Sequence, residues 1–223
     1  MHIGLIGGIG PAATDFYYRG LIDRHVAAGI PLDVTVCHAD VRAMSRNLVG
    51  RTPARQAEIF ARLVHRMKAA GAQAAAITSM GGHFCVNELI AISALPILNA
   101  VPEVDSALAR MTYGRIGILG TRAVMESKLY GGIRSVEVVP TEEEDLVRVH
   151  DNYVAMATLG RVVEAQRQVF FEAGRRLVAR GAEAVMLGGT DLFLAFAGQE
   201  PGFPVIDCAD IHVDVLYRTS SAP

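Results

Sequence analysis

The sequence predicts an α/β protein of two pseudo-symmetric lobes, each with a mostly parallel sheet flanked by helices. Three observations lead to that class. Residues 71–84 read GAQAAAITSMGGHF and residues 181–194 read GAEAVMLGGTDLFL, each a Gly-Ala turn, a short apolar run and then small polar residues. Residues 4–18 (GLIGGIGPAATDFYY) and 117–131 (GILGTRAVMESKLYG) pair likewise, with Gly4 matching Gly117 and Tyr17 matching Tyr130. Finally, apolar runs of strand length alternate with longer amphipathic stretches, the βαβ pattern of a parallel sheet. Open sheets of this kind bind ligands beyond the carboxyl ends of their strands. Ser79 and Gly189, equivalent in the repeat, are therefore expected across one crevice.

In chain order, residues 2–6 read as a buried strand, Gly7 to Gly10 as a tight loop, and Pro11 as the first turn of a helix to about Val26. DVTVCH, residues 33–38, is the second strand. Pro53 opens an amphipathic helix that stops at Gly71, since glycine readily ends helices. AAAIT, residues 74–78, is the third strand, followed by the loop SMGGHF, a helix near 85–93, a short strand from Pro96 to Asn99 and a helix over 102–111. The cycle restarts at Arg115 with IGILG, a helical region holding Ser127 and Tyr130, the strand VEVVP and a long helical segment over 141–180. Charge in that segment reads as a solvated helix face. AVMLGG and PVIDCADIHVDVL complete the count. The expected division is a first lobe over 1–100, a second over 101–204, and a closing segment near 205–223 packed on the first.

With 223 residues, 51% of them hydrophobic, the chain is long enough for a substantial core. A formal charge of −2 gives no footprint for nucleic acid or an anionic membrane. Three separated cysteines, Cys37, Cys85 and Cys208, form neither a disulfide framework nor a CxxC metal site, which fits a reducing cytoplasm. The amino terminus starts directly in a strand-like run without a basic leader, and no apolar stretch has the length of a membrane span.

Three loops carry the chemistry. Gly8-Ile9-Gly10-Pro11-Ala12-Ala13 has the G-x-G-x-x-A form between a strand and a helix. Proline removes a donor from it, and Asp40 lies further along than a ribose-binding acid normally does. A glycine turn lining a small-anion pocket is thus favoured over a nicotinamide or flavin site. In Thr78-Ser79-Met80-Gly81-Gly82-His83 the glycines allow backbone amides to approach a carboxylate at a helix start; the alternative is a turn in which Ser79 only caps. Gly188-Gly189-Thr190-Asp191 invites the same two readings.

Those loops, with GLIGGIGP, GRIGILGTRAVMESKLY, VVPTEEE and GAEAVMLGGTD, resemble the cofactor-independent aspartate/glutamate racemase superfamily over nearly the full chain. The resemblance implies two pseudo-symmetric lobes with an active site between them, a homodimer, a small carboxylate substrate and no cofactor or metal. It also exposes a departure. Family members carry one cysteine in a P-C-N-T-A-H-like loop and another in a G-C-T-E/H-like loop, one thiolate removing the α-proton and the opposite thiol supplying one. Here those positions are Ser79 and Gly189, and the carboxylate-holding Asn and Thr of the first loop are Met80 and Gly81.

A serine hydroxyl without an activating partner is a poor base for a carbon acid. The predicted catalytic set is accordingly Ser79, His83, Asp191 and Cys208, with His83 drawn as a partner of Ser79 and Cys208 as a substitute thiol. The predicted substrate-binding set is Gly8, Gly10, Arg46, Gly81, Gly82, Thr121 and Thr190. Arg42, Arg46 and Arg51 are all candidates for a distal carboxylate, because a guanidinium fork suits one. Asp207, Asp210 and His212 form a local cluster of metal-ligand type, set aside as too small a signal. The expected function is an isomerase-like enzyme acting at the carbon next to a carboxylate of a small amino acid or dicarboxylic acid. The alternative is a non-catalytic protein that binds a small carboxylate.

Overall fold

The computed structural model describes residues 1–222. The chain divides into two units, one comprising Met1–Asn99 and the segment from His212 onward, the other Ala100–Ile211. Each holds a four-stranded parallel sheet.

In the first unit the strands are β1 (Ile3–Gly7), β2 (Val34–His38), β3 (Ala74–Ile77) and β4 (Ile97–Leu98), in the order β2-β1-β3-β4. β1 and β3 are buried along their whole length, as parallel strands covered on both faces should be. The connections β1-α1-β2 and β2-α3-β3 run in opposite directions across the sheet, which for crossovers of the usual right hand sets α1 (Pro11–Ala28) and α3 (Pro53–Ala69) on opposite faces. Phe60, Val64 and Met67 of α3 pack with Ile6, Ile77 and Leu89. Two further helices are α2 (Val41–Val49) and α4 (Val86–Ile92), the latter entered through a 3-10 turn, Met80–Cys85.

In the second unit, α5 (Ala100–Leu108) leads into β5 (Arg115–Leu119), β6 (Glu137–Val138), β7 (Ala184–Leu187) and β8 (Val205–Asp207), ordered β6-β5-β7-β8. The order is that of the first sheet, and the packing repeats with it. A β-carbon at Gly4 would stand 2.4 Å from Met67 Sδ, and one at Gly117 would stand 2.7 Å from Leu177 Cδ1. Each glycine admits the helix that precedes its unit's third strand, α3 in one case and α9 (Glu164–Ala179) in the other.

Three expectations are corrected. After the short helix α10 (Phe193–Phe196), β8 pairs with β7, so the predicted closing segment is divided: residues 205–211 belong to the second unit, and only the part of α11 (Cys208–Ser221) from His212 onward belongs to the first. The long helical segment is two helices, α8 (Glu143–Leu159) and α9, broken where Gly160 turns left-handed. Its charge is not all solvated: Asp145 is buried and accepts from Arg176 Nε at 2.7 Å and Nη2 at 2.5 Å. Third, the region of Ser127 and Tyr130 is α6 (Arg122–Glu126) followed by α7 (Lys128–Gly131), a single turn of the opposite hand. Lys128, Leu129 and Tyr130 have φ of 53°, 55° and 57°, which costs an L-residue roughly 1–2 kcal/mol each. The Ser127 hydroxyl holds the turn by accepting from the Tyr130 amide at 2.8 Å.

Candidate functional site

In both sheets the central pair, β1 with β3 or β5 with β7, sends chain off in opposite directions, which makes their carboxyl ends the switch point where a ligand fits. In the first unit Gly8 and Gly10 adopt φ of 86° and 83°. A β-carbon at Gly8 would collide with His38 Nδ1 at 2.5 Å and Ala39 O at 2.6 Å, so the loop depends on glycine for both conformation and space. The Gly8 amide donates to Thr14 Oγ1 at 2.9 Å, the Thr14 and Thr78 hydroxyls meet at 3.4 Å, and Thr78 donates to the Ile6 carbonyl at 3.0 Å. Two threonines thus fasten the loops after β1 and β3 together.

His83 is buried, and its Nδ1 lies 2.8 Å from the Ser79 carbonyl. A carbonyl only accepts, so Nδ1 carries the proton and the lone pair is on Nε2. Burial pushes the pKa down to about 4. The bond joining His83 to Ser79 therefore runs through the backbone oxygen, whereas the drawn pair needs the hydroxyl. Gly82 also differs from expectation: its amide donates to Ser79 O at 3.1 Å, and a β-carbon there would meet Ile77 Cγ2 at 2.7 Å. This glycine closes the turn onto the core, and its amide is committed. Gly81 is buried in the same turn.

Beside His83, ring centroids 5.9 Å apart, lies the buried His212. Its Nε2–H donates to Leu98 O at 3.0 Å and its Nδ1 accepts from the Tyr17 hydroxyl at 2.8 Å. Burial, and then the neighbouring His83, press its pKa down to about 3. With both nitrogens engaged by protein, His212 is not presented as a metal ligand. Asp40 caps α2, accepting from the Ala43 amide at 2.8 Å, so its carboxylate serves the helix. Arg42, Arg46 and Arg51 are all exposed.

In the second unit the loops after β5 and β7 approach so closely that a β-carbon at Gly120 would lie 3.2 Å from Gly189 N. Thr121 caps α6, its hydroxyl accepting from the Val124 amide at 3.3 Å, and Thr190 and Asp191 are buried. From α8 comes Tyr153, whose hydroxyl donates to Asp191 Oδ2 at 3.2 Å. Burial, reinforced by the Asp191 charge, holds that phenol well above its ordinary pKa, so it stays protonated. A β-carbon at Gly189 would stand 2.3 Å from Tyr153 Cε2. Cys208 is wholly buried, which pushes its thiol well above the ordinary range and makes it a poor proton acceptor. Asp207 caps α11 through the Ala209 amide at 2.8 Å, and burial raises its pKa to about 6.

Tyr153, Thr14, Tyr17 and His38 are absent from the predicted set. One signal existed for Tyr153: with Leu146, Val149 and Met156 it forms the inward stripe of α8.

The repeated four-stranded sheets, each with glycine loops at its switch point, define a class of pseudo-symmetric α/β proteins with ligand loops at the strand ends. Residues 6–216 match the model of the Asp/Glu/hydantoin racemase family, and the chain belongs to that family. Solved structures agree in fold. A candidate Asp/Glu racemase from Yersinia pestis superposes with a TM-score of 0.84 at 23% identity, covering 100% of both chains. An aspartate racemase homologue from Pyrococcus horikoshii gives 0.79 at 20% identity over 99% of both. A Francisella tularensis glutamate racemase solved with D-glutamate gives 0.63 at 15% identity, covering 98% of this chain and 80% of that one.

Proposed function

We propose that the protein is an isomerase-like enzyme acting at the carbon α to a carboxylate of a small amino acid or dicarboxylic acid, by acid–base chemistry independent of the family's two thiols. The observation that carries this reading is that, in a racemase-family chain, each unit taken by itself carries a buried titratable side chain in a strand-end loop: His83 in the first and Asp191 in the second. Asp191 supplies a carboxylate and His83 a neutral ring with an Nε2 lone pair, both groups able to exchange a proton with a carbon acid. A pKa of about 4 keeps His83 neutral at neutral pH. The Thr121 oxygen accepts from its own helix, which leaves its O–H as a donor for a substrate carboxylate. Thr190 and the glycine loops contribute the remaining contacts. No step of this chemistry calls for a cofactor.

The test is proton–deuterium exchange at the α-carbon, followed by NMR in deuterated buffer with both enantiomers of aspartate and glutamate and with malate and succinate. Exchange with any of these, abolished by Asp191→Asn, is the expected result. The loss of both thiols and the filled position at Gly189 favour a second reading, a small-carboxylate binding protein. Ligand-induced shifts without exchange, with D191N altering affinity alone, would select it.

A further inference from the structure

Gly189 stands where the family resemblance expects the second cysteine, and the volume a side chain would need there is already filled. A β-carbon would meet Tyr153 Cε2 at 2.3 Å, Cζ at 2.7 Å and the hydroxyl oxygen at 3.0 Å. Distances under about 3 Å between a β-carbon and ring atoms are steric overlap, which a buried aromatic locked in a close-packed interior relieves only at high cost. The ring is in place: Tyr153 lies on the inward stripe of α8 with Leu146, Val149 and Met156. Its hydroxyl ends on Asp191, two residues beyond the vacated position, as donor to Oδ2 at 3.2 Å.

We propose that Tyr153 replaces the missing side chain of position 189: its ring closes that position to any side chain, and its hydroxyl orients the Asp191 carboxylate, making Tyr153 a positioning residue for proton transfer by Asp191. The proposal rests on the reading of this site as one that acts on a carbon acid. In the step it serves, the α-carbon–hydrogen bond breaks, the electron pair stays on the substrate and spreads into its carboxylate, and the proton passes to Asp191. Return of that proton to carbon restores the carboxylate. A phenol that remains protonated suits this role, since it donates to the aspartate throughout and orders one of its oxygens.

Two measurements on the full chain test it. In urea denaturation, Gly189→Ala should lower the folding equilibrium constant at least tenfold in the wild-type background. It should have little effect in a Tyr153→Leu background, because leucine ends short of the ring atoms that collide. Equal effects of G189A in both backgrounds, or none in either, would overturn the steric half. In the exchange assay with the six probes named above, Tyr153→Phe keeps the ring and removes the donor. A carboxylate that loses a donor protonates more readily, so the acid limb of the pH–rate profile should move to higher pH with KM within about twofold. An unmoved limb would overturn the positioning half. Y153F removes a single oxygen and keeps that half decidable if Y153L does not fold. If the wild type exchanges none of the six probes, the functional reading fails and the positioning half with it, while the denaturation cycle still decides who occupies position 189.

Discussion

Lowering the pH from 7 to 5 should destabilise this protein through His83 and His212. Both imidazoles are neutral and buried, with folded pKa values of about 4 and about 3 against an ordinary value of 6.5. A group whose pKa is depressed on folding binds its proton more weakly in the folded chain, so acid favours the unfolded one. The stability is intact above 6.5, declines below it, and continues to decline until the pH passes the folded values. Each histidine loses about 2 kcal/mol between pH 7 and 5 by this linkage, roughly 4 kcal/mol together.

Asp207 works against them. Its folded pKa of about 6 lies above the ordinary 3.8, so it binds its proton more tightly folded, and acid stabilises it. Over the same interval its contribution is about 1 kcal/mol in the opposite direction, leaving a net loss of about 3 kcal/mol. The assay is urea denaturation followed by far-ultraviolet circular dichroism, the chain having no tryptophan. The His212→Gln variant should show a pH dependence smaller by about 2 kcal/mol, a comparison from which the fixed cost of the substitution cancels. Equal pH dependence in H212Q and wild type would refute the reasoning, because it would mean that His212 does not resist protonation in the folded state.

Asp207→Asn should steepen the acid destabilisation by about 1 kcal/mol between pH 7 and 5, read from the same denaturation curves. Gly4→Ala and Gly117→Ala should each cost about 1–3 kcal/mol through overpacking against Met67 and Leu177, and similar losses in the two would confirm equivalent packing. Lys128→Gly should stabilise the second unit by about 1 kcal/mol by relieving one left-handed residue, measured as a higher urea midpoint. Asp191→Asn should abolish α-proton exchange while leaving the denaturation midpoint nearly unchanged, since the amide oxygen can still accept from Tyr153.

Much of the fold was legible because it is local. Gly-Ala turns, fully apolar strand runs and prolines at helix starts state their structure within a few residues, and the repeat of those signs announced two similar sheets. The second sheet's membership was harder to read. Val205–Asp207 looks like any short strand, and its partner β7 is chosen by packing and register. The break at Gly160 is written in the sequence as a helix-ending glycine, set within a highly charged stretch. The left-handed turn at Lys128 had no such sign, because three non-glycine residues are held there by tertiary packing around the buried Leu129 and by the Ser127 hydroxyl.

For the site, the sequence determined the loops and their glycines, with Ser79 and Gly189 in them, since these are facts of residue identity and order. It could not say what surrounds them. Tyr153 and Asp191 are separated by 38 positions, and Tyr17 and His212 by 195. Neither periodicity nor spacing carries information over such distances. Only the folded chain decided that a tyrosine from α8 occupies the space a side chain at Gly189 would need, that His83 is bonded through the backbone of Ser79, and that Cys208 is sealed in the core. Each of these is a matter of which atoms share a volume, and that is fixed by close packing of elements remote in sequence.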